Sequence, residues 1–306
     1  MWFKSIYLLF FILICCACKG QQQEKSGHRQ RSFEMITVPD SITQPDDRAI
    51  YVAMHYWDTF DFTDTMYIHL PEITEQAFSN YLSVMQYVPK ETAALSIREM
   101  MHKAVAEHVM FTYFAGLYEK YLYDLDSPLH DESLFIYALE AMIQEPVFDE
   151  FQKIRPAHLL ELALKNRIGD SAVQFDYTLA NEKQGSLYDV KADYLLLFFY
   201  QPDCHTCMET TEKLTGSNIL NKLLELQKLQ ILAVYPGEDF YSWKSNLSYM
   251  PSNWIHAYDH TGRIRGEEIY DLKTSSTLYL LDKEKKVLLK DTKIEQIEQF
   301  LQKNVQ

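Results

Sequence analysis

The sequence predicts an all-α N-terminal domain followed by an α/β C-terminal domain. Residues 44–168 carry apolar side chains at helical spacing, separated by loop-breaking Asp-Ser-Pro and Glu-Pro segments. After Gly169 the pattern changes to short apolar runs typical of strands, which alternate with helical segments. The chain has 306 residues, of which 47% are hydrophobic, and this is enough to bury two cores.

The first domain is expected to consist of helices at 46–60, 73–88, 91–123 and 132–144, and of a last helix before Gly169. The last helix has Pro156 near its interior start. One face of the long third helix carries a regular apolar series of Met110, Phe114, Leu117 and Tyr121. Aromatic residues at helical spacing usually form a core, so we do not expect a ligand pocket in this domain.

The second domain is expected to contain strands at 173–179, 186–190, 194–200, 231–235, 254–258, 277–281 and 286–289. Helices are expected after the cysteine pair, after Ser217 as an N-cap, at 239–247 and at the end of the chain. The closing helix presents Ile294, Ile297 and Leu301 on one face. Such an order of elements predicts a sheet covered by helices.

The strand at 194–200 leads through a short turn into the pair Cys204 and Cys207. A helix can begin at Cys204, where unpaired backbone N–H groups and the helix dipole stabilise a thiolate. A thiolate attacks disulfides, and a second thiol one helical turn later can resolve the mixed disulfide. The pair therefore predicts thiol–disulfide exchange.

The residues around Cys204 have opposing effects on its thiol. A cationic or hydrogen-bonding His205, followed by Thr206, would favour the thiolate and make the disulfide more oxidising. The carboxylate of Asp203 would raise the thiol pKa, although Asp203 can equally be a helix N-cap. The sequence does not decide whether these neighbours together raise or lower the pKa of the Cys204 thiol.

The N-terminus carries one positive charge and then a short apolar run, which is typical of a secretory signal at residues 1–18. Its end resembles the lipobox of bacterial lipoproteins, which implies lipidation of Cys18 after cleavage behind Ala17. Cleavage before Cys16, an ordinary cleaved signal or a short anchor are the alternatives. Residues 19–40 are polar and without periodicity, and we expect them to form a flexible tether.

The cysteine count adds to this interpretation, because three of the five cysteines lie in the N-terminal segment. If Cys18 is acylated, Cys204 and Cys207 are the only free cysteines of the mature protein. An exported protein with a single vicinal pair is not a disulfide-stapled scaffold, so the pair is expected to react. We expect a lipid-anchored protein of the bacterial cell envelope, facing the periplasm or the surface.

The net charge of −14 and the pI near 5.2 argue against nucleic acid as a partner. The expected partners are a disulfide- or thiol-bearing envelope protein and, through the lipid, the membrane.

The arrangement of residues 170–303 around Cys-x-x-Cys resembles a thioredoxin-like domain, and its leading hairpin at 175–190 is similar to that of the TlpA/ResA branch. That branch contains membrane-tethered disulfide oxidoreductases of bacterial envelopes. The upstream half, with its segments 56–65 and 73–78, resembles a helical domain of unknown function that precedes thioredoxin-like domains in Gram-negative lipoproteins. The resemblance implies a helical domain at 41–168 and a thioredoxin-like domain at 169–306.

The resemblance further implies that Cys204 is the nucleophile and Cys207 the resolving thiol. Ser276 stands where the family has a cis-proline, and a non-proline cis bond costs about 3 kcal/mol, so the Ser275–Ser276 peptide is expected to be trans. Phe198 stands where thioredoxins have a buried carboxylate. Glu209 and Glu212 are candidates to replace it in proton transfer, although each is expected to be a solvated helix residue. The residues expected to face the substrate or tune the pair are Pro202, Asp203, His205, Thr206, Ser275, Ser276 and Thr277.

Other functions of the cysteines are weaker interpretations. A zinc site needs four ligands, and His256 and His260 do not share a helical face with each other, so no metal or other cofactor is expected. A cysteine hydrolase would need His205 as its base, and no flanking signature supports it. The main alternative is a lipoprotein whose thioredoxin fold serves as a catalytically weak binding or scaffold module.

Overall fold

The structure is a computed structural model that describes residues 31–305. The N-terminal half is helical, as predicted. Its α-helices are α1 (Pro45–His55), α2 (Pro71–Met85), α3 (Lys90–Ala104), α4 (His108–Tyr118), α5 (Glu132–Gln144) and α6 (Glu150–Leu164). A 3-10 turn at Thr65–His69 precedes α2, and a π-helical turn at Glu119–Tyr123 extends α4.

The prediction of one long helix at 91–123 is wrong, because the chain bends between α3 and α4. The N–H of Val105 bonds to the carbonyl of His102 and tightens the end of α3, and Glu107 is extended (φ −138°, ψ 125°). The bend keeps apolar residues of both segments in one core, since Met101 of α3 and Met110 of α4 are both buried. The predicted apolar face of α4 is therefore correct although the helix is shorter.

Aromatic side chains form the core of the helical domain. The ring of Trp57 lies 5.3 Å from that of Phe60, 5.5 Å from that of Tyr81 and 5.4 Å from that of Phe114. Edge-to-face pairs of this kind add to the free energy of apolar burial. The expectation that aromatic residues at helical spacing form core is confirmed for this cluster, although Tyr87 and Phe151 of the same domain are exposed.

Packing of this domain begins earlier than the predicted tether of 19–40 allows. The ring of Phe33 stacks on that of Tyr56 at 5.1 Å, and the hydroxyl of Thr59 donates to the carbonyl of Glu34 at 2.6 Å. An aromatic side chain and a backbone contact thus attach residues 33 and 34 to α1 and to the turn that follows it.

Helix α6 begins with a capping box formed by Asp149 and Gln152. It contains the buried Pro156 and ends at Leu164, well before Gly169. The exit from the helix uses the left-handed Asn166 (φ 51°), and Gly169 (φ 96°) serves the next turn.

The second half folds around a seven-stranded sheet with the order β2-β1-β5-β4-β3-β6-β7. The strands are β1 (Asp176–Leu179), β2 (Gln184–Ser186), β3 (Tyr194–Phe199), β4 (Leu229–Tyr235), β5 (Ile255–Tyr258), β6 (Thr277–Asp282) and β7 (Val287–Lys290). Strand β3 pairs in parallel with β4 and antiparallel with β6. The predicted strand at 186–190 is largely wrong, because a 3-10 turn at Leu187–Asp189 follows the short β2.

The helices beside the sheet are α7 (His205–Gly216), α8 (Asn218–Glu225), α9 (Phe240–Asn246), α10 (Arg263–Gly266) and α11 (Ile294–Asn304). The oxygen of Ser217 accepts the N–H of Leu220 at 3.3 Å, which confirms the predicted N-cap of α8. Alternate residues of β3 enter the cores on the two faces of the sheet, and Cys207 belongs to the core that also contains Phe198 and Tyr200. No helix within residues 31–305 is long and apolar enough to cross a membrane.

Candidate active site

The start of α7 places Cys204 and Cys207 side by side. Cys204 is the N-cap residue of the helix, and its Sγ accepts the backbone N–H of Cys207 at 3.3 Å. The alternative that Asp203 caps the helix is wrong, because Asp203 is exposed and left-handed (φ 58°), one residue before the cap. Pro202 lies half-buried in the crossing from β3 to α7.

The two sulfur atoms differ sharply in exposure. Cys204 is half-buried, whereas Cys207 is only 3% exposed, and the thiol of Cys207 can donate to Cys204 Sγ over 2.6 Å. The carbonyl oxygen of Ser275 lies 3.2 Å from Cys207 Sγ, and the N–H of Gln201 points at the same sulfur from 3.5 Å. The outer sulfur can meet a partner, and the inner one is enclosed by the protein.

The same surroundings move the two thiol pKa values in opposite directions. Partial burial acts to raise the pKa of Cys204, but hydrogen bonds from Cys207 and Thr206 outweigh it, so the pKa lies below its ordinary value. Burial, together with the hydrogen bond to Cys204, raises the pKa of Cys207 to about 12. Cys204 therefore supplies a thiolate more readily, and Cys207 stays neutral until a reaction begins.

Of the two residues between the cysteines, Thr206 contacts Cys204 and His205 turns away. The hydroxyl of Thr206 lies 3.4 Å from Cys204 Sγ. The side chain of His205 is 82% exposed and lies 3.7 Å from Glu209, one helical turn along the surface. Glu209 and Glu212 are both exposed, as predicted for solvated helix residues.

The loop before β6 approaches the cysteines from the other side. All peptide bonds of the described residues are trans, which confirms the expectation for Ser275–Ser276. The hydroxyl of Ser276 lies 2.8 Å from that of Thr210 on α7, and the hydroxyl of Thr277 donates to the carbonyl of Thr274 at 3.0 Å. Thr210 is not among the predicted site residues, although its position four residues after Thr206 places both hydroxyls on one face of α7.

Beneath the pair, Phe198 is fully buried at the position where thioredoxins have a carboxylate. Beside the pair, a groove of about 450 Å³ lies between α7 and the 3-10 turn Leu247–Tyr249. It is lined by Tyr200, Gln201, Asp203, Cys207, Met208, Thr211, Glu212, Asn246, Tyr249 and Met250. This groove could not be predicted from the sequence, because its two walls come from residues 200–212 and 246–250, which only the fold brings together.

The two histidines considered as zinc ligands bond elsewhere. Nε2 of His256 lies 2.8 Å from the carbonyl of Pro251, and Nδ1 of His260 lies 2.9 Å from the hydroxyl of Thr178. The geometry therefore does not bring them into a four-ligand set with the cysteines.

Within residues 31–305, one group of acidic side chains has the spacing of a metal site, namely Glu132, Asp271 and Asp291. The ammonium groups of Lys273 and Lys290 already occupy it, at 2.8 Å from Asp291 and 2.9 Å from Glu132 respectively. Because two ammonium groups lie among the three carboxylates, the group is an ion-pair cluster.

Known proteins with a similar sequence or structure were found for both halves of the chain. The family model described as "Domain of unknown function (DUF5106)" matches residues 15–166. The crystal structure of a thioredoxin-like protein from Bacteroides caccae ATCC 43185 is 44% identical, and the match covers 90% of this chain and 99% of that chain with a TM-score of 0.84. None of the curated proteins matches the chain.

Two further solved structures each match less than half of the chain. The C-terminal domain of an uncharacterized protein from Bacteroides fragilis NCTC 9343 is 41% identical and covers 45% of this chain and 98% of its own, with a TM-score of 0.44. The thioredoxin domain of a thiol-disulfide oxidoreductase from Bacteroides vulgatus is 20% identical and covers 46% of this chain and 99% of its own, with a TM-score of 0.41.

The match to the Bacteroides caccae protein extends over both halves of the fold, at high identity and with nearly the whole of that chain included. The chain therefore belongs to the same family as this thioredoxin-like protein, with a DUF5106 domain in front of a thioredoxin-like domain.

Proposed function

We propose that this protein is an envelope thiol–disulfide oxidoreductase that exchanges disulfides with a partner protein through Cys204 and Cys207. The observation that carries the proposal is a half-exposed cysteine at a helix N-cap whose Sγ lies 2.6 Å from that of a buried second cysteine. A lowered pKa at Cys204 and a raised pKa at Cys207 give the pair an attacking and a resolving member.

In the reducing direction, the Cys204 thiolate attacks one sulfur of the partner's disulfide. A mixed disulfide forms, and the other partner sulfur leaves as a thiolate. Cys207 then loses its proton and attacks Cys204 Sγ, which releases the second partner thiol and closes the Cys204–Cys207 disulfide. Two electrons pass from the enzyme dithiol to the partner disulfide, and the reverse sequence oxidises a partner dithiol.

The family resemblance favours reduction, and a reductase needs a second dithiol protein to regenerate its thiols. The exposed His205 and the hydroxyls of Thr206 and Ser276 do not by themselves fix the reduction potential. A measured potential of the Cys204–Cys207 pair therefore decides the direction of exchange.

The groove beside Cys207 supports a proposal about the partner. Its walls include Tyr249, which is 84% exposed, and Met208, which is 56% exposed, and its rim carries Asp203 and Glu212. Exposed aromatic and thioether groups bind apolar side chains, and carboxylates attract cations. The partner segment that fits has an apolar and a basic residue close to its cysteine.

For the location, we propose attachment through a lipid on Cys18 in the bacterial cell envelope, facing the periplasm or the surface. Cys18 lies outside the described residues, and the lipobox-like sequence is what supports the assignment. A lipid attached to Cys18 would hold the protein at the membrane, close to other envelope proteins. The acidic surface of the protein would not contribute to this attachment.

The central experiment replaces Cys207 with serine and looks for mixed disulfides in the envelope. Cys207→Ser should accumulate covalent adducts through Cys204 that reductant removes, and Cys204→Ser should accumulate none. The wild type should reduce insulin with a dithiol as electron source. If Cys207→Ser traps no partner and the wild type does not reduce insulin, the binding-module alternative replaces the enzyme.

A matched pair of tyrosines tests the groove. Tyr249 lines it, whereas Tyr241 does not, and both are 84% exposed. Tyr249→Ala should raise KM for a protein disulfide and leave the rate with a small disulfide unchanged, while Tyr241→Ala should alter neither. Equal effects of the two substitutions on the protein disulfide would exclude the groove as the partner's binding surface.

A further inference from the structure

A cluster of five charged side chains, four of them buried and one half-buried, connects the helical domain to the thioredoxin-like domain. Nζ of Lys273 lies 2.8 Å from Asp291, 3.3 Å from Glu132 and 3.6 Å from Asp271. Nζ of Lys290 lies 2.9 Å from the other oxygen of Glu132. Glu132 of α5 is the helical domain's carboxylate in this cluster, and it bridges both lysines.

Burial makes these contacts interdependent. The side chains of Lys273, Lys290, Asp271 and Asp291 are each at most 5% exposed, and that of Glu132 is 17% exposed. A buried charge that loses its partner is strongly unfavourable, so each member holds its neighbours in place. The cluster therefore fixes the distance between α5 and the segment that carries Lys273.

Two contacts with the helical domain tighten this connection. Nζ of Lys273 also lies over the ring of Tyr123, 4.4 Å from its centroid. Nζ of Lys290 donates to the carbonyl of Lys165 at 2.8 Å, just past the end of α6. Both lysines of the sheet domain are thus held by groups of the helical domain.

The segment held in this way is the one that contacts the inner cysteine. Lys273 stands two residues before Ser275, whose carbonyl oxygen lies 3.2 Å from Cys207 Sγ. The turn between them is stiff, because the hydroxyl of Thr274 donates to the carbonyl of Ser276 at 2.8 Å and the carbonyl of Thr274 accepts the hydroxyl of Thr277. A displacement of Lys273 is therefore passed on to Ser275.

We propose that Glu132 is a positioning residue for the redox pair: through Lys273 it holds the Ser275 carbonyl against Cys207, and this contact keeps Cys207 less reactive than Cys204. The proposal rests on the proposed function only in treating these two cysteines as the reacting pair. The helical domain is then a structural part of the active site, whatever partner it also contacts.

The test isolates the inner thiol in a Cys204→Ser background and measures its alkylation by iodoacetamide across pH. Adding Glu132→Gln should lower the apparent pKa of Cys207 and speed its alkylation on the order of tenfold at about pH 9, since each pKa unit changes the thiolate fraction tenfold. In a Cys207→Ser background, the same change should move the pH profile of Cys204 by less, because Ser275 supplies only one of several hydrogen bonds that lower the pKa of Cys204.

Glu75→Gln is the matched control. Glu75 pairs with Lys120 and is 20% exposed, but this pair lies within the helical domain and does not include a residue of the loop. The control should leave both cysteine profiles as they are. A folded Glu132→Gln protein with an unchanged Cys207 profile would overturn the proposal, and so would a change of equal size in Cys204 or in the Glu75→Gln control.

Circular dichroism establishes whether the Glu132→Gln protein is folded. If it is not, Glu132→Asp serves as the second variant, because it keeps the negative charge but moves it one methylene away from Lys273 and Lys290. It should raise the reactivity of Cys207 by a smaller factor than Glu132→Gln. Unchanged Cys207 reactivity in folded Glu132→Asp would then overturn the proposal. Alkylation needs no partner, so a wild type that fails to reduce insulin would refute the proposed function and leave this test intact.

Discussion

Replacing each active-site cysteine singly with serine separates the two thiols and exposes the difference in their reactivity. The pKa of Cys207 is raised to about 12 by burial, and that of Cys204 lies below its ordinary value of 9.0. In the dithiol the two values differ by about three pKa units, and burial, which is the largest cause of the Cys207 shift, remains when Cys204 is replaced. At neutral pH the thiolate population of Cys204 should thus be up to about a thousand times that of Cys207, since the serine variants lose the hydrogen bond between the two sulfurs.

The rates should differ by less than the populations. A thiolate of higher pKa is the better nucleophile, with a Brønsted coefficient of about 0.4–0.5. Three pKa units therefore make the Cys207 thiolate intrinsically more reactive than the Cys204 thiolate by a factor of roughly 16 to 32. The expected ratio of rates is then about 30 to 60 in favour of Cys204, before any effect of access. The 3% exposure of Cys207 should increase the ratio further.

The assay follows the reaction of each single-cysteine protein with hydroxyethyl disulfide by mass spectrometry, at about pH 7 and then across pH. Because the thiolate is the reactive form, the rate of Cys204 should level off below the pH at which an ordinary cysteine does, and that of Cys207 should still be rising in alkali. Equal rates of the two proteins at neutral pH would refute the assignment of Cys204 as attacking thiol and Cys207 as resolving thiol.

Three further predictions concern stability and processing. Lys273→Met should lower the free energy of unfolding by about 3–5 kcal/mol in urea at neutral pH, because it leaves buried carboxylates unpaired. Burial raises the pKa of Asp271 to about 6, so this penalty should shrink at lower pH as that carboxyl becomes neutral, and a constant penalty would contradict the argument. A double-mutant cycle of Thr210→Val and Ser276→Ala should give a coupling energy of about 0.5–1.5 kcal/mol, and purely additive effects would count against their hydroxyl pair. Cys18→Ser should abolish fatty-acid labelling in cells, and persistent labelling would show that another residue is lipidated.

Much of the site follows from local sequence. The apolar run of β3 predicts a buried strand, and its position before Cys204 places the cysteine where a helix begins. A spacing of three residues then brings Cys207 to the same side of the helix. These inferences need only near neighbours in the chain, and for that reason they agree with the structure.

Local pattern was less reliable where tertiary packing competes with helical periodicity. The apolar spacing of 91–123 continues across the bend at Glu107, because both α3 and α4 turn apolar faces to one core. Periodicity reports which faces are buried, and it does not report where the axis changes direction. The early end of α6 at Leu164 has a similar origin, since the chain must turn at Asn166 to enter the sheet domain.

The sequence by itself determined the two-domain order, the strand that leads into the redox pair, and Cys204 as the thiol at the helix start. Only the tertiary structure decided what surrounds that pair. Strand β6 lies next to β3, which puts Ser275 against Cys207, and Glu132 meets Lys273 across 141 residues of chain. Contacts of this kind depend on strand order and domain packing, which residue spacing does not encode, so the contact of Ser275 with Cys207 became visible only in the folded protein.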